Sequence, residues 1–240
     1  MRLEDKVAIV TGASREGQVG EAVVLALARE GANVVIAARS QDKIERLADK
    51  VRALGRRSLA VQTDCTIEEQ VNNLVQQTLA EFGRVDVLVN IAGGLTVYGP
   101  VAQTSVADWD YEYSINLKSA FLCSKAVLGP MTEAGAGKII NFSSVSGLRA
   151  QAKMVAYNCA KAGVVALTRT LALETRKDNI QVNAIAPGLV DTKSNIKAMK
   201  PKDLSKWVKR EDIAQVVVFL ASDESHGITG QVIPVLGGGL

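Results

Sequence analysis

Short β-branched runs alternate with longer amphipathic segments along the whole chain. The runs at 7–10, 33–37, 58–62, 85–89, 138–142, 181–185 and 231–235 read as strands. Helical periodicity fills the intervals at about 20–30, 41–54, 67–82, 106–130, 155–175 and 211–221. This alternation predicts βαβ units, and so an α/β protein with a doubly wound parallel sheet covered by helices on both faces. No linker, repeat or low-complexity tract interrupts it, and 240 residues suit one domain with a large core. The stretch without clear pattern runs from 192 to 209.

Composition narrows the partners. A hydrophobic content of 48% with 22% charged residues is ordinary for a globular chain. The net charge of +3 gives no argument for nucleic acid or a membrane surface. Cys65, Cys123 and Cys159 are odd in number and lack metal-like spacing, which predicts a reducing, cytoplasmic compartment. The single histidine, His226, argues against a His-rich metal site and a Ser-His-acid triad, so no metal is expected. No apolar run approaches the ~20 residues of a membrane span. The opening M-R-L-E-D-K runs straight into a strand, so no signal peptide is expected.

The candidate chemistry lies in the segment 144–161. Tyr157 and Lys161 stand four apart within a helical pattern, which puts phenol and ammonium on one face. A free phenol titrates near pH ~10, and moving it to ~7 takes roughly 4 kcal/mol. One cation ~4 Å away at an effective dielectric of ~20 supplies about that much. Such a pair is a general acid/base that needs no histidine. Ser144 follows the apolar run 138–142, at the end of a buried strand, where its hydroxyl is placed to hold a substrate oxygen. Taken alone, the spacing fits a surface pair on a helix as well.

The first strand runs into T-G-A-S-R-E-G-Q-V-G at 11–20, directly before a helix. Glycines there admit the backbone to a pyrophosphate, and the helix N-terminus attracts its charge; the other reading is a merely tight turn. Taken in order, this loop, N-x-A-G from Asn90, Ser144, Y-x-x-x-K from Tyr157 and P-G-x-x-x-T from Pro187 resemble the short-chain dehydrogenase/reductase family, notably its 3-oxoacyl-[acyl-carrier-protein] reductase-like members. The resemblance covers 6–238. Departures are two extra residues between Gly12 and Gly20, Gln18 where a second glycine is usual, Ile91 in place of a second Asn, and Leu236 in place of an Asp. Divergent enoyl reductases share a longer loop but hold Tyr and Lys further apart, so the spacing here favours carbonyl chemistry.

The resemblance implies a Rossmann-type sheet of seven strands in the order 3-2-1-4-5-6-7, with the cofactor at the switch point between strands 1 and 4. It implies reversible hydride transfer between a nicotinamide and a carbonyl or secondary alcohol. Ser144 would orient the carbonyl and Tyr157 would give the proton. Lys161 would lower the phenol's pKa and grip the nicotinamide ribose. Asn116 would bend its helix and hold a water that completes the proton relay. Cofactor contacts are implied for Gly12, Ser14, Arg15, Gly17, Val19 and Gly20, for Arg39 and Ser40, and for Asp64 and Cys65. They are implied also for Asn90, Ala92, Gly93, Tyr157, Lys161, Pro187, Gly188, Val190 and Thr192. Asp64, matched to an adenine contact, also reads as an N-cap for the helix near Ile67.

The second strand ends A-A-R-S, with no acid for the free ribose hydroxyl of NAD. Arg39 and Arg15 instead offer guanidiniums to a 2′-phosphate, so NADP is the expected cofactor. NAD remains the alternative because Glu16 lies close, and Arg39 also reads as a solvated loop charge.

The segment 192–210 corresponds to a substrate lid. It carries Lys193, Lys197, Lys200, Lys202, Lys206, Lys209 and Arg210 against Asp203 alone, read either as a solvated face or as a steering field for an anionic substrate. With Met199 and Trp207 it is expected to close over a compact, moderately apolar ketone. Positions that are basic in carrier-protein reductases are Gly135 and Asp178 here, although Arg176 and Lys177 lie close by. A ketone or diketone reductase therefore ranks ahead of a 3-oxoacyl-thioester reductase and a sugar or polyol dehydrogenase. A nucleotide-binding sensor without turnover is the rival from another class; such proteins usually lose Tyr or Lys, and this chain keeps the set. Apolar positions on helices 106–130 and 155–175 (Phe121, Leu122, Val127, Leu128, Val164, Val165, Leu171) exceed what one sheet face needs. With the family's habit of pairing these helices, they predict a homotetramer.

Overall fold

The computed structural model describes residues 1–238. Its seven strands are β1 (Val7–Thr11), β2 (Asn33–Ala38), β3 (Ser58–Gln62), β4 (Val87–Asn90), β5 (Gly137–Phe142), β6 (Ile180–Pro187) and β7 (Val232–Val235). They form one parallel sheet in the order β3-β2-β1-β4-β5-β6-β7, as the resemblance implied. Each strand lies within two residues of its predicted bounds.

β1, β2 and β5 are buried at every position, which is what a sheet covered on both faces requires. Alternate residues of β1 feed two cores. Ala8 and Val10 pack with α1 (Val19–Arg29), α2 (Gln41–Arg52) and α9 (Arg210–Ala221), through Val23, Leu27, Ile44 and Val217. Val7 and Ile9 pack with α3 (Glu68–Phe82), α5 (Ser119–Ala134) and α7 (Val155–Glu174), through Leu74, Val127, Met131 and Leu171. The bare strand ends left between these layers hold the site.

Three expectations need correction. The helix expected over 106–130 is not continuous but is α4 (Val106–Tyr113), a wider π-helical turn at Ser114–Lys118, and α5, with the bend at Asn116 that the resemblance implied. The turn contains Asn116, whose side chain bonds outside the helical ladder. The patternless stretch carries a helix, α8 (Lys193–Met199), and a parallel bridge between Val190 and Val208. α8 is seven residues long and buries none of them, so it leaves no apolar periodicity to read. A further short helix, α6 (Val145–Leu148), follows β5. Finally, the supposed apolar excess on α5 and α7 is mostly core: Leu122, Val127, Val164, Val165 and Leu171 are buried, and Phe121 alone of the seven is open, at 45% exposure.

Candidate active site

The site begins with the turn after β1. Gly12 has φ +76°, and a Cβ there would stand 2.6 Å from the Ala92 backbone nitrogen. The turn after β1 thus lies directly against the turn after β4, and the Ala92 N–H donates to Thr11 Oγ1 at 3.3 Å. Gly20 opens α1 against Ala13, where a Cβ would stand 2.7 Å from Cα. Gln18 caps α1 without a side-chain bond, so the first-turn N–H groups are left to an external acceptor. An uncapped helix start beside Gly12 suits a pyrophosphate. Ser14 and Val19 are half-buried in this turn, and Arg15 is exposed.

The two extra residues have a visible role. Glu16 pairs with Lys193 at 2.7 Å, and the Ser194 hydroxyl donates to Gln18 Oε1 at 2.7 Å. The Lys193 N–H donates to the Gly17 carbonyl at 2.9 Å, while the Gly17 N–H donates to Glu21 at 2.6 Å. Both backbone groups of Gly17 are therefore spent within the protein. Its missing side chain makes room for the Lys193 stem, which a Cβ would meet at 2.3 Å. The enlarged loop clasps the start of α8.

Beyond β2, Arg39 is exposed and Ser40 is the N-cap residue of α2, without a side-chain capping bond. Asp64 caps no helix: α3 starts after Ile67 with no side-chain cap, and Asp64 instead accepts from the Thr66 N–H (2.9 Å) and hydroxyl (2.7 Å). Burial pushes its carboxyl up, but the Thr66 bonds and the Arg39 charge outweigh that and hold it below the ordinary value. The Cys65 side chain lies in the core against Cys123, so its backbone is what remains for a cofactor. Asn90 likewise turns inward, donating to Asn141 Oδ1 at 2.9 Å and Ser124 Oγ at 3.1 Å, which ties β4 to β5 and α5.

Asn116 crosses from the π-turn to the segment after β4. Its Oδ1 accepts from the Gly94 N–H at 2.9 Å, and its Nδ2 donates to the Gly94 carbonyl at 3.0 Å. Gly93 has φ +129°, and a Cβ there would stand 2.4 Å from Asn116 Oδ1, so this position needs glycine twice over.

Tyr157, Lys161, Ser144, Gly93, Gly94, Ile91, Phe142, Pro187, Gly188, Val190 and Asn195 come together around a cavity of about 190 Å³. Ser144 caps α6, accepting from the Ser146 N–H at 3.1 Å. The Ser143 hydroxyl donates to the Lys161 carbonyl at 2.8 Å, and Gly147 admits α7 so closely that a Cβ would stand 2.7 Å from that same carbonyl. Lys161 is 4% exposed, and its Nζ donates to the Phe142 carbonyl at 2.8 Å. Burial pushes this ammonium down to about 8, against an upward pull from Glu112.

The tyrosine differs from expectation. Burial pushes the phenol above its ordinary value, the Ser144 hydroxyl pulls it back, and the Glu112 charge raises it further. The Lys161 Nζ is turned to the Phe142 carbonyl and lies 5.7 Å from the centroid of the Tyr157 ring. The phenol keeps part of its surface open to the cavity, in a helix otherwise well packed against α4 and α6.

Thr192 spends its hydroxyl at the start of α8, accepting from the Asn195 N–H at 3.2 Å. Asn195 Nδ2 donates to the Val190 carbonyl at 2.9 Å and brings α8 to the cavity wall. Met199 is 57% exposed and absent from that wall, so the lid's contribution is polar rather than the expected apolar one. Sequence reading missed Glu112, Ser143, Gly147 and Asn195. For Glu112 a signal was available: an acid between two tyrosines, four before Asn116.

A doubly wound sheet with this cavity at its strand ends defines a Rossmann-type protein. Comparison with known proteins narrows the class. A family model described as enoyl-(acyl carrier protein) reductase matches residues 12–239. The chain is 38% identical to (2S)-[(R)-hydroxy(phenyl)methyl]succinyl-CoA dehydrogenase subunit BbsD of Thauera aromatica, over 99% of this chain and 98% of that protein. It is 36% identical to the 3-oxoacyl-[acyl-carrier-protein] reductase FabG of Thermotoga maritima, over 99% of each chain. Levodione reductase superposes with a TM-score of 0.92 at 32% identity, over 99% of this chain and 98% of that one. The chain belongs to the short-chain dehydrogenase/reductase family, and is an enzyme acting between alcohols and carbonyls with a nicotinamide cofactor.

Proposed function

We propose that the enzyme reduces a small ketone or diketone with NADPH, reversibly, using Asn116, Ser144, Tyr157 and Lys161. The observation that carries this reading is the convergence of the Tyr157, Ser144 and Lys161 side chains on one small cavity at the strand ends. The nicotinamide, when bound, supplies the hydride. A phenol held above its ordinary value stays protonated at neutral pH, which suits a proton donor in the reducing direction. Ser144 holds the carbonyl oxygen, Tyr157 protonates it, and the Lys161 charge stabilises the phenolate that remains. Asn116 fixes the Gly93–Gly94 backbone wall opposite them.

NADPH is favoured by the exposed Arg15 and Arg39 and by the absence of an acid at Ala37 or Ala38. Glu16, a carboxylate of the same loop as Arg15, is paired with Lys193. The remaining contacts assigned to Gly12, Ser14, Val19, Gly20, Ser40, Asp64, Asn90, Ala92, Pro187, Gly188, Val190 and Thr192 flank the same strand ends. Gly17 and Cys65 are the weakest members, because Gly17 has spent its backbone groups and Cys65 has its side chain in the core.

The thioester reading draws support from two relatives whose names are those of thioester-linked reactions. Against it, two of the seven lid cations are engaged, Lys193 with Glu16 and Arg210 with Asp191 at 3.3 Å. The remaining field is that of exposed lysines. The deciding experiment compares kcat/KM for an acetoacetyl thioester and a small diketone with NADPH, at low and high salt. The ketone reading expects the diketone to lead at both. A thioester lead above tenfold that fades with salt would reverse the ranking.

We further propose a homotetramer working in a reducing cytoplasm. Phe121, Tyr111, Val106 and Leu173, all at least 45% exposed, support an interface on the α4–α5 and α7 surfaces. The three cysteines are free thiols. Among the described residues, no helix is long and apolar enough to cross a membrane.

A further inference from the structure

Glu112 lies on α4 at 0% exposure, and the proton donor and lysine just described leave its role unassigned. A buried carboxylate without compensation is expensive, so its partners show what it is for. Its Oε1 accepts from the Thr96 N–H (2.5 Å), the Thr96 hydroxyl (2.8 Å) and the Val97 N–H (2.9 Å). Its Oε2 accepts from Asn116 Nδ2 at 2.7 Å, and its own carbonyl accepts from the same amide at 3.0 Å. One carboxylate thus joins the segment after β4 to the π-turn, on either side of the glycines that wall the cavity.

Its charge also has a target. α4 packs against α7, whose first half carries Tyr157, Cys159 and Lys161. The 93–97 segment brings no titratable side chain. The π-turn brings Lys118, whose charge acts on Glu68. Glu112 is thus a buried carboxylate on the helix packed against that of the buried Lys161, and its charge opposes the burial that lowers that ammonium.

We propose that Glu112 is a positioning residue of the hydride-transfer site, whose carboxylate locks the 93–97 wall to Asn116 and serves as the buried counter-charge of Lys161. The proposal rests on the reading of Tyr157 and Lys161 given above. Glu112→Gln keeps an acceptor for Thr96 and Val97, removes the charge, and turns an amide donor toward Asn116.

The test is direct titration of Lys161 by NMR of protein labelled at lysine Cε, with the resonance assigned by its loss in Lys161→Met. In folded Glu112→Gln the Lys161 midpoint is expected to fall by about one pH unit, the low end of the effect of an opposite charge at close range. The alkaline limb of kcat should move with it. Glu112→Asp, which keeps the charge on a shorter stem, should hold the midpoint near wild type while raising KM for the carbonyl substrate. It also serves if the Gln variant fails to fold: an Asp variant whose Lys161 midpoint drops as far as a full unit would overturn the counter-charge. An unmoved Lys161 midpoint in folded Glu112→Gln overturns the proposal. Full activity in Tyr157→Phe would instead overturn the underlying reading, so the two failures are told apart.

Discussion

Lys193 Nζ reaches Glu16 Oε1 at 2.7 Å, joining the first residues of the lid helix to the enlarged loop after β1. The pair offsets the Glu16 charge in the loop that carries Arg15, and it holds the Glu16 carboxyl below its ordinary value. An insertion that looks on paper like a weakened phosphate loop is, in three dimensions, a clasp.

Cofactor choice follows from that arrangement. Arg39→Ala is expected to weaken NADPH binding by about 1.5–3 kcal/mol, the range for a hydrogen bond to a charged group. NADH binding should be nearly unchanged, since the free ribose hydroxyl has no stake in a guanidinium. Fluorescence titration of both cofactors checks this. Equal kcat/KM for NADH and NADPH in the wild type would contradict the assignment.

Lys161 predicts a dependence of stability on pH. Its folded value of about 8 lies below the unfolded value of ~10.4, so the folded state gives up this proton first. The lysine therefore costs stability below pH 8, and the cost fades as pH rises toward the unfolded value. Urea unfolding of wild type and Lys161→Met should show the wild type gaining about 2 kcal/mol on the variant between pH 7.5 and 10. A constant difference across that window would mean that Lys161 keeps its proton in the fold.

Assembly gives a third expectation. Phe121 and Leu173 are 45% and 77% exposed on α5 and α7, and a tetramer would cover them. Light scattering at micromolar concentration should return four times the 25.5 kDa chain mass. Phe121→Glu should lower it. A wild-type monomer would refute the interface.

The fold was largely legible because the strands are β-branched runs, the central ones buried on both faces, and each long helix has a stripe facing one of two cores. Ser144, Tyr157 and Lys161 were legible as a set because strand end and helix face fix where they meet. The bend at Asn116 was expected from the resemblance, though not its cause, bonds to Gly94 across 22 residues of sequence. Three things were not legible. α8 is held by Thr192 capping and by the glycine loop, neither of which leaves an apolar pattern. The seven apolar positions on α5 and α7 could not be divided between core and surface without the packing. The direction of the Tyr157 shift was misread because helical spacing places Lys161 on the right face but does not show how deeply the phenol is buried, and burial is what raises it.

The central claim is that Tyr157 gives the proton, and single-turnover kinetics of Tyr157→Phe tests it most directly. With NADPH and a reducible ketone, kcat should fall by about two to four orders of magnitude, the usual share of acid-base catalysis. NADPH affinity, measured on the same protein, should stay within a few-fold of wild type. Retention of more than about a tenth of the wild-type kcat would show that the proton comes from elsewhere.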